Sequence, residues 1–254
     1  MINKTSANDD VKNFLIRDKI VNLNILNFLE SNKTAVVLTY GDDIENGVIA
    51  ANEEMGLFFL ATHNADFLRQ FWDLFGDADM FFSGVPQSIA DIFLADKTPE
   101  WTSPCKVYAL LGDFAPIAAD YPHEVLRPDD APEVDRYYTY RWEESEAEIR
   151  RCIEKFDSAC IRIDGELAAW CLIHEGDGSM GPLYTKEQYR RRGLAEIVTS
   201  RLVEKLIAKG LQPYVHIVES NDASVALAEK YSGFVYTHDC VWFGMKKISL
   251  DMNV

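Results

Sequence analysis

Residues 179–219 read SMGPLYTKEQYRRRGLAEIVTSRLVEKLIAKGLQPYVHIVE, and the succession of patterns in them decides the architecture. An extended run closes at Thr185 and a short loop follows. Leu194, Ile197, Val198 and Leu202 then recur at helical spacing, so 192–210 is predicted as an amphipathic helix. Gly210 stops it. The segment 212–219 is extended again. Two strands joined by a long helix run parallel, as in a βαβ unit.

Arg190, Arg191, Arg192 and Gly193 stand where that helix begins. The first N–H groups of a helix have no partner within it, and the helix dipole favours negative charge there. Gly193 lets backbone approach a phosphate with no Cβ in the way, and Ala195 is small for the same reason. The arginines add cationic donors. A second glycine-rich stretch, GDGSMG (176–181), has the spacing of a dinucleotide fingerprint but is followed by the strand PLYT rather than a helix. Asp177-Gly178 is a turn dipeptide, so this stretch is expected to be a hairpin between antiparallel strands.

Working outward, the second half is predicted as helices near 130–140 and at 144–156, strands at 158–164, 166–175 and 179–185, and the helix at 192–210. The strand at 212–219, a helix at 221–233 and strands at 234–238 and 240–247 complete it. The first half begins with a helix over 11–31. A meander of strands at 34–41, 46–52 and 56–63 follows, then a helix at 65–76, a strand at 79–85, a helix at 86–95 and a strand at 105–112. The stretch 113–135 holds four of the nine prolines, and the domain boundary is placed near 120. The expected class is mixed α/β, a mostly antiparallel sheet with a splayed parallel pair.

The chain has 254 residues and a formal net charge of −16. Nucleic-acid affinity comes largely from neutralising phosphates, so this balance argues against a nucleic-acid partner. The five cysteines form no CxxC pair and the five histidines no HxxxH or HExxH spacing, so no metal site is expected. The N-terminal MINKTSANDDVKNFLIRDKI has no apolar signal region, and no run approaches a membrane span. The expectation is a cytoplasmic protein without membrane contact.

Arg190 to Ala195 fits (Q/R)xxGx(G/A), and NDASVALAEKYSGF (221–234) follows on the next helix. Together they resemble the cofactor signature and second motif of the GNAT superfamily of acyl-CoA N-acyltransferases. HEVLRPDDAPEV (123–134) is similar to that family's opening strand and first helix. The resemblance covers about 122–248, and in order and length it is closest to the glycine N-acyltransferase-like group. It implies a GNAT N-acetyltransferase domain at 121–254. Members of that group carry an N-terminal half built as a decayed copy of the same fold. Residues 1–120 are accordingly expected to be a degenerate GNAT-like half with no (Q/R)xxGx(G/A), which binds no CoA.

The resemblance implies acetyl-CoA, or another acyl-CoA, as co-substrate. The pantetheine arm would lie on the backbone of Leu183, Tyr184 and Thr185. The diphosphate would sit on the amides from Arg191 through Leu194 to Ala195, with Arg190 and Arg192 beside it. Asn221 and Ser224 would contact the pantetheine or its thiol end. The acceptor amine attacks the thioester directly.

The catalytic pattern departs from the family. The glutamate often used as general base, 11 residues before the motif, is Ser179 here. Asp177, Glu175 and Glu219 are the carboxylates in reach of that role. The tyrosine often used as acid is replaced by Ala228, and Tyr231, one helical turn on, is the substitute candidate. Freeing an α-amine at neutral pH costs ~1 kcal/mol, against ~4–5 kcal/mol for a lysine side chain. A weak base therefore favours a small amine or amino acid. Tyr137, Tyr138 and Trp142 fall where the family lines its acceptor pocket. The competing expectation is a non-catalytic acyl-CoA-binding protein whose chemistry has decayed.

Overall fold

In the computed structural model, which describes residues 1–76, 78–231 and 233–245, the chain forms eight labelled α-helices and eleven strands. In chain order these are β1 (Ile2–Thr5), α1 (Asp9–Ile16), α2 (Leu23–Ser31), β2 (Val36–Tyr40), β3 (Val48–Asn52), β4 (Leu57–Ala61), α3 (Ala65–Phe75), β5 (Met80–Pro86), α4 (Gln87–Phe93) and β6 (Trp101–Leu110). There follow α5 (Ala131–Arg136), α6 (Ser145–Lys155), β7 (Ala159–Ile163), β8 (Glu166–Ile173), β9 (Met180–Thr185), α7 (Leu194–Ala208), β10 (Tyr214–Val218), α8 (Asp222–Lys230) and β11 (Phe234–Met245). The architecture is mixed α/β with mostly antiparallel strands.

One succession occurs twice. Two helices, three strands, a helix, a strand, a helix and a strand run from α1 to β6, and the same order runs from α5 to β11. Strand β1, paired with β2, precedes the first run; an isolated bridge between Glu124 and Cys160 of β7 stands in the same place before the second.

The chain divides into two compact units. Among the described residues, the first comprises Met1–Val107, His216–Asn221 and 237–245; the second comprises Tyr108–Val215 and Asp222–Tyr236. In the first unit, side chains alternate across the strands as the pleat requires. Leu38, Ile49, Phe58 and Leu60 face α3 and α4 through Phe67, Phe71, Ile89 and Phe93. Val37, Val48, Ala50 and Phe59 face α1 and α2 through Val11, Leu15, Ile25 and Phe28. In the second unit, Ile161, Ala169, Cys171 and Ile173 pack on α7. Cys160, Leu167, Trp170 and Leu172 pack on α5 and α6.

Several expectations are corrected. The helix predicted over 11–31 is two helices. Asn22 lies between them: its buried side-chain amide donates at 3.0 Å to the carbonyl of Leu15, which also accepts from Asp18 N–H at 3.3 Å and so is held outside the helical ladder. Strand β1 had no sequence signal. The strands predicted at 234–238 and 240–247 are one, β11, with 246 and 247 outside the described residues, as is Ser232 of the predicted helix 221–233. The hairpin after β8 closes through His174 N–H to Ser179 C=O at 3.0 Å, a four-residue loop rather than a two-residue one, with Gly178 at φ 75°.

The strand expected to lie parallel beside β9 does not join its sheet. The strand orders are β1-β2-β3-β4-β5-β11-β6-β10 and β7-β8-β9, so β9 is an edge strand and β10 belongs to the larger sheet. Pro182 supplies a physical reason, because a proline inside a strand has no N–H to give a ladder and is confined to edges and bulges. The register with β8 also shifts between Cys171 and Ile173, where β9 carries one extra residue. The hydrogen-bonded parallel pair is β4 with β5, matched at Leu57 with Phe81 and at Phe58 with Phe82.

Candidate functional site

Helix α7 begins at Leu194, two residues later than expected, because Gly193 and Arg191 are both left-handed, at φ 71° and 62°. A glycine adopts that conformation freely, whereas an arginine there is uncommon. Left-handed turns interleaved with ordinary ones point successive N–H groups inward and make an anion-binding hollow. No side chain caps the helix, and a Cβ built on Gly193 would meet nothing within 4 Å. Arg190, Arg191 and Arg192 are all exposed around this opening. Arg190 is partly tethered: its Nε donates to the Thr185 carbonyl at 3.2 Å and its guanidinium lies 5.7 Å from the Tyr184 ring centre. Leu194 is buried and Ala195 half-buried in the first turn. These residues fit a diphosphate: uncapped amides, open space in front of them and three cations.

The corresponding place in the first unit is closed. Helix α3 follows β4 as α7 follows β9, but its N-terminus is capped by Asn64, whose side chain accepts from Phe67 N–H at 3.0 Å. The ladder between β4 and β5 ends at Phe58 and Phe82 although both strands continue. Past that point the buried Asn24 of α2 donates to the carbonyls of Ser83 and Gly84, each at 3.1 Å. Gly84 is also tightly covered, since a Cβ there would stand 2.6 Å from the His216 ring.

Strand β9 carries Leu183, Tyr184 and Thr185 opposite Cys171, Trp170 and Ala169 of β8. Its far edge has no strand partner within its sheet, which leaves main-chain groups for a ligand. The Thr185 hydroxyl is buried without a hydrogen-bond partner among the described residues. Ser224 lies on the first turn of α8 and is half-buried. Lys230 of the same helix pairs with Glu196 of α7 at 2.7 Å. Asn221, exposed, belongs to the other unit, its N–H donating to Val218 at 2.8 Å.

The candidate catalytic groups separate. Asp177 and Ser179, both buried, hold each other: one carboxylate oxygen of Asp177 accepts from Ser179 N–H at 2.9 Å and from its hydroxyl at 2.8 Å. The Tyr214 hydroxyl of β10 donates to the Asp177 carbonyl. Glu175 is taken up by Arg151 and Lys155; burial acts to raise its carboxyl, but the two cations bring it below the usual range. Glu219 is exposed, in the first unit, its N–H bonded to Pro104 C=O. Tyr231 is buried, stacked on Phe114 at 6.4 Å and set edge-on to Phe234; burial raises its phenol.

Of the aromatic residues, Tyr137 stacks on Tyr184 at 4.9 Å and tilts against Trp170, so it is packing. Tyr138 and Trp142, 6.3 Å apart, line a narrow pocket with Glu148, Cys152, His174 and Pro182. Burial pushes the Glu148 carboxyl up to about 7, Glu175 and Asp177 add to the rise, and Arg151 opposes it. Burial lowers the pKa of His174, against the pull of Asp177. Neither Glu148 nor His174 was singled out by the sequence. Glu148 is one of several glutamates on an amphipathic helix, and only its placement against the β8–β9 turn distinguishes it.

The chain resembles known proteins in sequence and in fold. Residues 160–243 match the family model described as FR47-like protein. Over 114 residues the chain is 31% identical to an acetyltransferase of Pectobacterium atrosepticum, covering 42% of this chain and 78% of that protein. A Drosophila protein of known structure is similar over 96% of this chain and 98% of its own, with a TM-score of 0.75 at 14% identity. A GNAT-family acetyltransferase from Colwellia psychrerythraea is similar over 97% of this chain and 100% of its own, with a TM-score of 0.57 at 13% identity. At those identities the structures speak for the fold, and the sequence relative speaks for the family. The chain belongs to the GNAT family of acetyltransferases.

Proposed function

We propose that the protein moves an acetyl or short acyl group from a CoA thioester to the primary amine of a small molecule, an amine or amino acid, by direct attack. The carrying observation is the contrast between two helix starts: α3 is capped by Asn64, while α7 is uncapped, open in front of Gly193 and ringed by three arginines. Bound at α7, acetyl-CoA supplies the activated acyl carbon. The amides from Arg191 to Ala195 hold its diphosphate, and the free edge of β9 at Leu183 to Thr185 orients the arm. The amine nitrogen bonds to the acyl carbon, the carbon–sulfur bond breaks with its electron pair on sulfur, and the amine's surplus proton leaves. A thiol is acidic enough to depart without an obligatory acid, which fits the packed position of Tyr231.

Within the family, we place the chain with the glycine N-acyltransferase-like group, taking 1–120 as the degenerate half and 121–254 as the transferase. The repeated order of elements and the filled divergence at Asn24 support that reading. A cytoplasmic location, with neither nucleic acid nor membrane as partner, accords with the net charge of −16 and with the absence, among the described residues, of a helix long and apolar enough to cross a membrane.

The test is acetyl-CoA binding by calorimetry together with thiol release against a panel of amines. Binding without thiol release for any acceptor would favour the second reading, a non-catalytic acyl-CoA-binding protein. The engagement of Ser179 with Asp177, where a glutamate base is often found, is the observation on that side.

A further inference from the structure

The pocket behind the β8–β9 turn has a composition of its own. It is lined by Tyr138, Trp142, Glu148, His174 and Pro182 together with the apolar Ile149 and Leu172. Pro182 lies on β9, the strand whose free edge is assigned to the thioester arm, so the pocket abuts that strand. Aromatic faces beside a carboxylate are a receptor for an organic cation. The arginines at 190–192 lie on the loop beyond the other end of β9.

We propose that this pocket receives the acceptor as a primary ammonium of net positive charge, and that Glu148 binds it and takes its proton before attack. The assignment rests on the transferase reading above and narrows it: a cationic amine is preferred to a zwitterion whose carboxylate would lie in the same acidic surroundings. The proton balance is simple. One proton passes from the R–NH3+ group to the Glu148 carboxylate, leaving R–NH2 with its lone pair free, and Glu148 returns the proton to solvent after the transfer.

Every group around Glu148 is compatible. From its own helix, Arg151 is engaged with Glu175, and Cys152 is pushed by burial up to about 12 and stays a thiol, so no thioester relay intervenes. From the segment after α5, burial raises the phenol of Tyr138, which stays neutral, with Tyr140 beside it. From the β8–β9 turn come His174, whose pKa burial lowers, the paired Glu175, and Asp177, one of whose carboxylate oxygens accepts from Ser179. Glu148 is left as the carboxyl with a proton affinity suited to exchange near neutrality.

The experiment uses the full chain with ethylamine, glycinamide and glycine, measuring thiol release from acetyl-CoA over pH 5.5–9 and, separately, saturation-transfer NMR of glycinamide without acetyl-CoA. The expected result is turnover of glycinamide at least tenfold above glycine. Glu148→Gln should lose about 100-fold in kcat/KM, lose the rising limb near neutrality and lose the NMR signal, with unchanged acetyl-CoA affinity as proof of folding. Glu148→Asp should recover part of the rate. Wild-type turnover with an E148Q rate within twofold and the same pH limb would overturn the assignment and leave the transferase standing. Absence of thiol release from wild type with all three amines would overturn both.

Discussion

Asp177 holds Ser179 through one carboxylate oxygen, which accepts the serine N–H at 2.9 Å and its hydroxyl at 2.8 Å, with both residues buried. Ser179 occupies the position at which the sequence resemblance would place a general base, yet its hydroxyl donates back into the turn. Ser179→Ala should therefore keep thiol-release rates within about threefold while lowering stability by about 1–2 kcal/mol, the worth of a hydrogen bond to a charged acceptor. Denaturant melts and initial rates check this. A 100-fold fall in kcat with intact stability would make the hydroxyl part of the chemistry.

Gly193 lies at φ 71° with open space before it. A β-branched side chain there meets the left-handed penalty, about 1–2 kcal/mol, and fills the hollow. Gly193→Val should weaken acetyl-CoA binding more than tenfold. Single alanine replacements of Arg191 or Arg192 should cost only a few-fold, and less at high salt, because exposed charges are screened. Arg190→Ala should cost the most of the three, since Arg190 is tethered to Thr185 and Tyr184. Calorimetry at two ionic strengths separates these, and a larger loss at any arginine than at Gly193 would make the site a charge patch.

Asn24 satisfies two buried carbonyls, those of Ser83 and Gly84. Asn24→Leu leaves both unmet and should destabilise the protein by about 2–3 kcal/mol. Acetyl-CoA affinity should not change, because no cofactor is assigned to the first unit. Affinity falling in step with stability would contradict that assignment.

Glu148 carries a pH signature of its own. Its folded pKa, about 7, lies above the unfolded value, so between roughly pH 4.5 and 7 the folded state holds more protons. Stability contributed by this group therefore falls as pH rises through that window. Glu148→Gln should be more stable than wild type at pH 8, by up to about 3 kcal/mol, and show little advantage at pH 4.5. Thermal melts at the two pH values test it, and an advantage independent of pH would mean that Glu148 stays ionised throughout.

Much of the second half was legible because its signals are local. The apolar spacing of Leu194, Ile197, Val198 and Leu202 fixes a helix, and Gly193 marks its start, since few other residues sit easily at positive φ. Even there the helix began two residues late, because Arg191 takes a left-handed turn that its side chain does not announce. The long first helix failed for a comparable reason: Asn22 holds the Leu15 carbonyl through a bond that helical periodicity does not encode.

The sequence by itself determined the run β9–loop–α7–β10, the glycine-and-arginine opening and the chain order of nearly every element. All of these follow from spacing along one segment. Only the tertiary structure decided that β9 is an edge strand and that β11 lies beside β5. It also decided that Asn24 fills the divergence in the first unit and that Glu148, among many similar glutamates, enters a pocket with Tyr138, Trp142 and His174. Burial and long-range pairing depend on which distant residues come together, and a carboxylate's proton affinity depends on that surrounding rather than on its neighbours in the chain.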